Sequence, residues 1–217
     1  MRDLARVDTW VFDLDNTLYD PALRLFDQVN ERITAYVMRE LALDRAAAEM
    51  LRSRYWREHG TTLSGLMTVH GHDPDPYLAE VHDIDLTAIA PDHALRDAID
   101  ALPGRKVIYT NGSRGHGAAV SAALGLSGCF EAIYGVEDAG YLPKPRAEAF
   151  DRVFARIGLD PARAAMVEDD QRNLRAPAAL GMTTIWRPAD AAEAPEPHVR
   201  HVARDLAAFL AAVPAAA

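Results

Sequence analysis

The chain has 217 residues, 49% of them hydrophobic and 25% charged, which is enough to bury a core and to carry one domain with an insertion. Its formal charge of -9 excludes a nucleic-acid polymer as partner, because non-specific affinity for a phosphate backbone comes from clustered Lys and Arg. The single cysteine, Cys129, excludes an intramolecular disulfide and thiolate-rich metal sites. The apolar run from Trp10 to Leu18, broken by Asp13 and Asp15, fits neither a signal peptide nor a membrane span, so a cytoplasmic protein without a membrane partner is expected.

The first predicted element is a buried parallel strand over Thr9 to Leu14, a short apolar run that stops at acidic residues. Between Thr17 and Thr110 lie 92 residues, where a single crossover needs only about a dozen or somewhat more. That segment must fold on its own. Leu25, Phe26, Val29, Ile33, Tyr36, Val37 and Leu41 share one helical face, Met50, Leu51, Tyr55 and Trp56 continue the pattern in a second helix, and Leu63 to Val69 form a third before a breaker cluster at Gly71 to Pro76. Pro91 to Leu102 lead back to the core. Further strands are predicted at Lys106 to Thr110, Ala132 to Val136, Ala164 to Val167 and Thr183 to Trp186, with crossover helices at Gly117 to Leu124, Ala147 to Ile157 and Leu174 to Leu180. Ala189 to Pro197 read as a surface loop, Leu206 to Val213 as a last covering helix, and the terminal alanines as a fraying end. This alternation specifies an α/β fold, a doubly wound (Rossmann-like) parallel sheet formed by residues 1–19 and 89–217, with a helical cap, residues 20–88, inserted after the first strand. Trp10, Trp56 and Trp186 sit on apolar faces and read as core.

In Asp13-Leu14-Asp15 two carboxylates stand two apart at the polar end of a strand, so in extended backbone both point to one side. Three further polar signals follow later strands: Thr110 with Asn111-Gly112-Ser113, Lys144 between two prolines, and Glu168-Asp169-Asp170. Taken singly, Thr110 reads equally as a helix cap, Lys144 as a solvated loop lysine and the acidic triplet as the polar start of a helix. The carboxyl ends of strands in an open parallel sheet lie on one edge, however, where such folds bind ligands. Residues spread over 157 positions can therefore converge there. Lys106 and Lys144 are the only lysines beside 21 arginines; Lys106 reads as chance, Lys144 as a compact charge placed for anions. His70-Gly71-His72-Asp73 resembles the opening of a binuclear metal motif but fails at Pro74 and Asp75, which leaves a turn in which His70 or His72 could face a ligand. The Gly112-x-x-Gly115-x-Gly117 run reads as backbone close to a phosphate and not as a dinucleotide site.

As an ordered set, DLDNT at 13–17, YTNGS at 109–113, PKP at 143–145 and VEDD at 167–170 resemble the four motifs of the haloacid dehalogenase superfamily, over about Trp10 to Arg187. Tyr55 with Gly60-Thr61-Thr62-Leu63 and Gly65-Leu66-Met67, then Val81-His82-Asp83-Ile84-Asp85, are similar to the helical cap of its pyrimidine 5'-nucleotidase-type members. Leu102-Pro103-Gly104-Arg105-Lys106, Asn173 and Gly181-Met182-Thr183-Thr184 also resemble that subgroup. The resemblance implies a Mg²⁺-dependent phosphatase working through an aspartyl-phosphate on Asp13. Asp13 would be nucleophile and metal ligand, Asp15 acid and base with its backbone carbonyl on the metal, and Asp169 the third metal ligand. Thr110 with the backbone N–H groups of Asn111 and Gly112 would hold phosphoryl oxygens, Lys144 would supply charge, Glu168 would support the metal and Asp170 would cap the next helix.

The implied substrate is a small phosphomonoester, UMP or CMP first, taken by a monomer or homodimer. Leu66, Met67 and His70 are the expected specificity positions on the cap. The alternatives are a phosphatase of phosphoglycolate or a sugar phosphate, a β-phosphoglucomutase-like phosphomutase, a 2-haloacid dehalogenase, and a binding protein with a relict site. Dehalogenation has no leaving oxygen to protonate, and its enzymes resemble this chain except for lacking an acid at the position of Asp15.

Overall fold

A computed structural model describes residues 1, 3–190 and 192–214, so the terminal Ala215, Ala216 and Ala217 lie outside the described residues. Six parallel strands form one sheet: β1 (Thr9–Phe12), β2 (Arg105–Tyr109), β3 (Ala132–Tyr134), β4 (Ala164–Glu168), β5 (Thr183–Trp186) and β6 (His201–Val202), in the order β3-β2-β1-β4-β5-β6. Every residue of β1 and β4 is buried, because helices cover both faces. Alternation sends Trp10 and Phe12 to one face and Val11 to the other. The first face packs on α5 (His93–Ala101), α6 (Arg114–Ala123) and α9 (Leu206–Ala211), and the second on α7 (Ala147–Ile157) through Phe150, Val153, Phe154 and Ile157. The short α8 (Arg175–Ala179) precedes β5. The two-residue edge strand β6 was not predicted; its mixed, part-exposed His201 and Val202 carry no apolar run to reveal it.

The insertion, residues 20–88, contains four α-helices where three were expected: α1 (Leu25–Leu41), α2 (Arg45–His59), α3 (Thr62–His70) and α4 (Pro74–Val81). The breaker cluster is a helix junction. Gly71, at φ 68°, ends α3 in the left-handed conformation that glycine adopts without steric cost. Two residues later the Asp73 carboxylate accepts the Asp75 N–H at 3.1 Å, and Pro74 occupies the first turn of α4, where its missing N–H costs nothing. The four helices share a hydrophobic cluster of Tyr36, Val37, Ala48, Tyr55, Leu63, Leu66, Tyr77, Leu78 and Val81, joined from the sheet side by Val136. Trp10 and Trp186 are fully buried, with indole N–H groups on the carbonyls of Pro103 and Asp169. Trp56 is not core as expected. It is 50% exposed, and Phe26 (39%) and Met50 (74%) also lie outside the cluster that the four helices share; Phe26 and Trp56 face the cavity described below. Among the described residues no helix is long and apolar enough to cross a membrane.

Gly65 sits against the root of the Tyr55 side chain: a Cβ there would lie 2.2 Å from Tyr55 Cγ, which cannot swing aside without moving α2. Gly65→Ala should therefore destabilise the protein by about 1–3 kcal/mol, the usual cost of overpacking a core. Gly115→Ala, where the nearest atom would be 4.0 Å away, should be neutral or stabilising by up to about 1 kcal/mol. Urea unfolding of the two variants checks the contrast, and equal midpoints would contradict the Tyr55–Gly65 fit.

Candidate active site

Sheet register assembles the site. Phe12 stands beside Ile108 on one flank and Val167 on the other, so the next residue, Asp13, emerges level with Tyr109 and Glu168. Its N–H continues the ladder to the Val167 carbonyl at 2.9 Å. The turns that follow β1, β2 and β4 leave the sheet together, and the loop before α7 brings Lys144 to them.

Lys144 is the hub. Its side chain is 1% exposed, and Nζ donates to Asp13 Oδ1 at 2.7 Å, to Glu168 Oε1 at 2.6 Å and to the Tyr109 carbonyl at 3.1 Å, which uses all three ammonium donors. Asn111 fixes the lysine backbone reciprocally: its Nδ2 donates to the Lys144 carbonyl at 3.1 Å and its Oδ1 accepts the Lys144 N–H at 2.8 Å. Glu168, wholly buried, also accepts Asn173 Nδ2 at 2.7 Å and the Asp170 N–H at 2.9 Å. Thr17 donates to Asp13 Oδ2 at 2.8 Å.

Carboxylate oxygens of Asp13, Glu168 and Asp169 lie within 4.8 Å of one another. Burial and the charge of Glu168 raise the Asp13 carboxyl to about 7 despite Lys144, and burial with the same neighbours pushes Asp169 well above its ordinary value. Burial disfavours the charged lysine, yet Asp13 and Glu168 outweigh it and hold the Lys144 ammonium above its usual range. Three carboxylates beside one ammonium leave two negative charges to be balanced, and an all-oxygen donor set suits a hard divalent cation. Asp13, Glu168 and Asp169 are the carboxylates that could hold one.

The carboxylate of Asp15 is not in that cluster. Oδ1 accepts the Tyr19 hydroxyl at 2.9 Å and His116 Nε2 at 2.9 Å. Burial opposes ionisation here, but the adjacent His116 and the two hydrogen bonds prevail and hold the carboxyl below its ordinary value. His116 is at the start of α6, its N–H capped by Ser113 Oγ at 3.1 Å, and the His82 ring stacks on it with centroids 4.4 Å apart and an interplanar angle of 20°. Sequence reading missed Tyr19, His82 and His116. His82 stood in the Val81–Asp85 run and His116 in the glycine run after β2, but nothing local marks a histidine whose partner is 101 positions away.

The Thr110 hydroxyl accepts the Gly112 N–H at 2.9 Å, so two of the groups expected to hold an anion here satisfy each other. Asp170 accepts the Arg172 N–H at 3.0 Å and caps the short 3-10 turn Gln171–Leu174, as expected of it. Asp13, Asp15, Thr110, Asn111, Gly112, Lys144 and Asp169 all line a single cavity of about 930 Å³. Its other walls come from the inserted helices and include Asn30, Arg52, Trp56, Tyr77 and His82. Leu66, Met67, His70 and His72, expected to face a ligand, do not line it: Leu66 is interior to the helices, and His70 bonds the Tyr55 hydroxyl at 2.7 Å and packs against His72.

The described architecture is shared by several solved structures. The HAD-hydrolase YfnB from Bacillus subtilis, bound to magnesium, matches with a TM-score of 0.58 and 20% identity over 94% of this chain and 99% of that one. The 2-haloacid dehalogenase from Pseudomonas syringae pv. Tomato matches at 0.57 and 20% over 94% and 96%, and the L-2-haloacid dehalogenase from Xanthobacter autotrophicus at 0.51 and 19% over 83% and 77%. At these identities the likeness shows the fold alone. In sequence the chain is similar to Phosphate metabolism protein 8 of Saccharomyces cerevisiae, 25% identical over 187 residues that cover 79% of this chain and 58% of the yeast protein, so it spans less than two thirds of that relative. The family model for haloacid dehalogenase-like hydrolases matches residues 7–181, and the chain belongs to that family.

Proposed function

We propose that the chain is a phosphatase of small phosphomonoesters that works through an aspartyl-phosphate on Asp13, with a pyrimidine nucleoside 5'-monophosphate as its leading substrate class. The observation that carries this reading is the division of labour between two aspartates two residues apart: Asp13 in the cluster with Lys144, Glu168 and Asp169, and Asp15 outside it, held by Tyr19 and His116. In the first step an Asp13 oxygen bonds to phosphorus, the bond from phosphorus to the leaving oxygen breaks, and Asp15 gives that oxygen a proton, which it holds once the phosphate dianion beside it raises a carboxyl that His116 and Tyr19 otherwise keep ionised. In the second, water attacks the same phosphorus, Asp15 takes its proton, and the bond to Asp13 breaks to release phosphate. Oδ2 of Asp15 has no hydrogen-bond partner among the described residues and is the oxygen available for both transfers. Lys144 offsets the charge that accumulates beside Asp13, and Thr110 and Gly112 exchange their mutual bond for phosphoryl oxygens.

Asp13 and Asp169, with the Asp15 backbone carbonyl, are the residues that would hold Mg²⁺, which when bound lowers the repulsion between the carboxylate and a phosphate dianion. The raised value of Asp13 supports this, because the nucleophile needs a counter-charge to stay ionised near neutrality. We assign residues 20–88 the role of a cap that excludes water and selects the leaving group. A half-exposed Trp56, Tyr77 and the hydrogen-bonding Asn30 and Arg52 suit a planar group rich in acceptors, and the cavity is large enough for a nucleoside. The solved dehalogenases share the fold, but a haloacid offers no leaving oxygen for Asp15 to protonate. The name of the yeast relative is in keeping with phosphate chemistry.

Asp13→Asn should abolish phosphate release from every substrate. Asp15→Asn should lose ~10² to 10⁴-fold in the first turnover of a nucleotide and much less with p-nitrophenyl phosphate, whose leaving group scarcely needs a proton. Rapid-quench mass spectrometry on the aryl ester should then find phosphate on the peptide containing Asp13; equal losses with both esters and no phosphopeptide would give Asp15 a different role. Chelation should stop turnover and Mg²⁺ restore it, with Ca²⁺ a poor substitute because of its looser coordination; full activity in excess chelator would refute the cation. Arg52→Ala and Trp56→Ala should reorder a panel of UMP, CMP, sugar phosphates and phosphoglycolate, whereas Met67→Ala should not. Chloride release from 2-chloropropionate without phosphate release would favour the dehalogenase.

A further inference from the structure

His82 has no part in the chemistry above, yet it packs on the ring that bonds the proton-transfer carboxylate and so links the inserted helices to it. His116 is 4% exposed and fixed from three directions. Its backbone N–H is capped by Ser113, its ring edge donates to Asp15 through Nε2, and its ring face is covered by His82. Ser113 joins the two rings. Its oxygen accepts the His116 N–H and lies 3.1 Å from His82 Nδ1, within hydrogen-bond distance. Burial, and next His116, depress the His82 imidazole to about 4, which keeps the ring neutral. Gly112 leaves the room: a Cβ there would stand 3.1 Å from His116 Cδ2 and 3.4 Å from His82 Nε2.

His82 immediately follows α4, so it belongs to the inserted helices, while Ser113 and His116 belong to the sheet domain. Asp15 follows β1 closely, and among the described residues its side chain has no other hydrogen-bond partner than Tyr19 and His116. The ring of His116 can turn about its side-chain bonds unless something covers its face, and His82 is what covers it.

We propose that His116 is the positioning residue of Asp15 and that His82 completes it, so that seating the inserted helices on the sheet domain is what aligns the proton-transfer carboxylate. The proposal rests on the phosphatase reading for the role of Asp15, but the contact itself can be tested apart from it. A cap that merely shields the site would slow every substrate alike when loosened. A cap that aligns the acid slows most the substrates that need a proton.

First-turnover rates with a nucleoside monophosphate and with p-nitrophenyl phosphate separate the two. His116→Phe keeps a ring for His82 and removes the N–H that Asp15 accepts; it should cost at least about a hundredfold with the nucleotide, within the span of general acid help, and under about tenfold with the aryl ester. His116→Gln, which retains a donor, should regain part of the nucleotide rate. His82→Ala should move the ratio of the two rates in the same direction by about tenfold, and His82→Phe, which restores the stack, should bring it back. Equal losses with both esters, or no rescue by either conservative variant, would overturn the proposal. Hydrogen exchange on the intact chain reads the contact without substrate: in His82→Ala the amides of residues 113–117 should exchange at least about tenfold faster, with those of β1 and β4 unchanged. Unchanged exchange at 113–117 sinks the proposal even where loss of phosphate release in Asp13→Asn upholds the phosphatase reading. Faster exchange in a protein that releases no phosphate leaves the contact standing and overturns the acid role given to Asp15.

Discussion

The site depends on one buried ammonium. Taking Lys144 out of water costs several kcal/mol, and two buried carboxylates at 2.7 and 2.6 Å recover that cost only because their remaining oxygens are also satisfied. Thr17 serves Asp13, and Asn173 and the Asp170 N–H serve Glu168. Asn111 then holds the lysine backbone from both its amide atoms. Glu168 is thereby a brace. It gives Lys144 a second anion, so the lysine can neutralise Asp13 without being drawn wholly onto it. The excess negative charge that results would favour a divalent cation in the cluster.

The same constraint explains the division between the two aspartates. Both leave β1 on one side, as a spacing of two in extended backbone requires, but Asn16, at φ 61°, turns the chain sharply after Asp15. One carboxylate stays under the strand ends with Lys144, and the other meets Tyr19, four residues on, and the first turn of α6. Two acids of the same type acquire opposite settings: Asp13 is raised by burial and a like charge, Asp15 lowered by donors. The phosphatase reading requires the reverse, an ionised nucleophile and a protonated acid, and a cation beside Asp13 with a phosphate dianion near Asp15 would move both carboxyls in that direction.

Five of the six strands were legible from runs of apolar residues, and with them the common edge that gathers Asp13, Thr110, Lys144 and Asp169, since a parallel sheet dictates where its carboxyl ends point. What failed had physical causes. The fourth cap helix hid behind Gly71 and Pro74, both read as breakers, although Asp73-Pro74 is a good helix start. Trp56 was assigned to the core because helical periodicity identifies an apolar face without saying what covers it; this face opens on the cavity. Tyr19, His82 and His116 were invisible because their roles come from contacts across the fold and not from spacing.

The contacts between the inserted helices and the sheet domain differ in what they do. Arg172, gripped by Asp170, lies 4.3 Å over the Trp56 ring, and Tyr141 donates to Asp75 at 2.8 Å. Exposed cation–π pairs of the first kind are worth about 0.5–1 kcal/mol, and a part-exposed hydrogen bond to a charged group contributes little more. Such contacts suit surfaces that must separate to admit a substrate and meet again over it, since a stronger clasp would slow entry and release. The His82–His116 stack is equally modest in strength but is the one that passes through a ring to Asp15. A weak contact in that position can bias where a carboxylate points without resisting opening, and that is a reason for the sequence to place an aromatic imidazole there and not an ion pair.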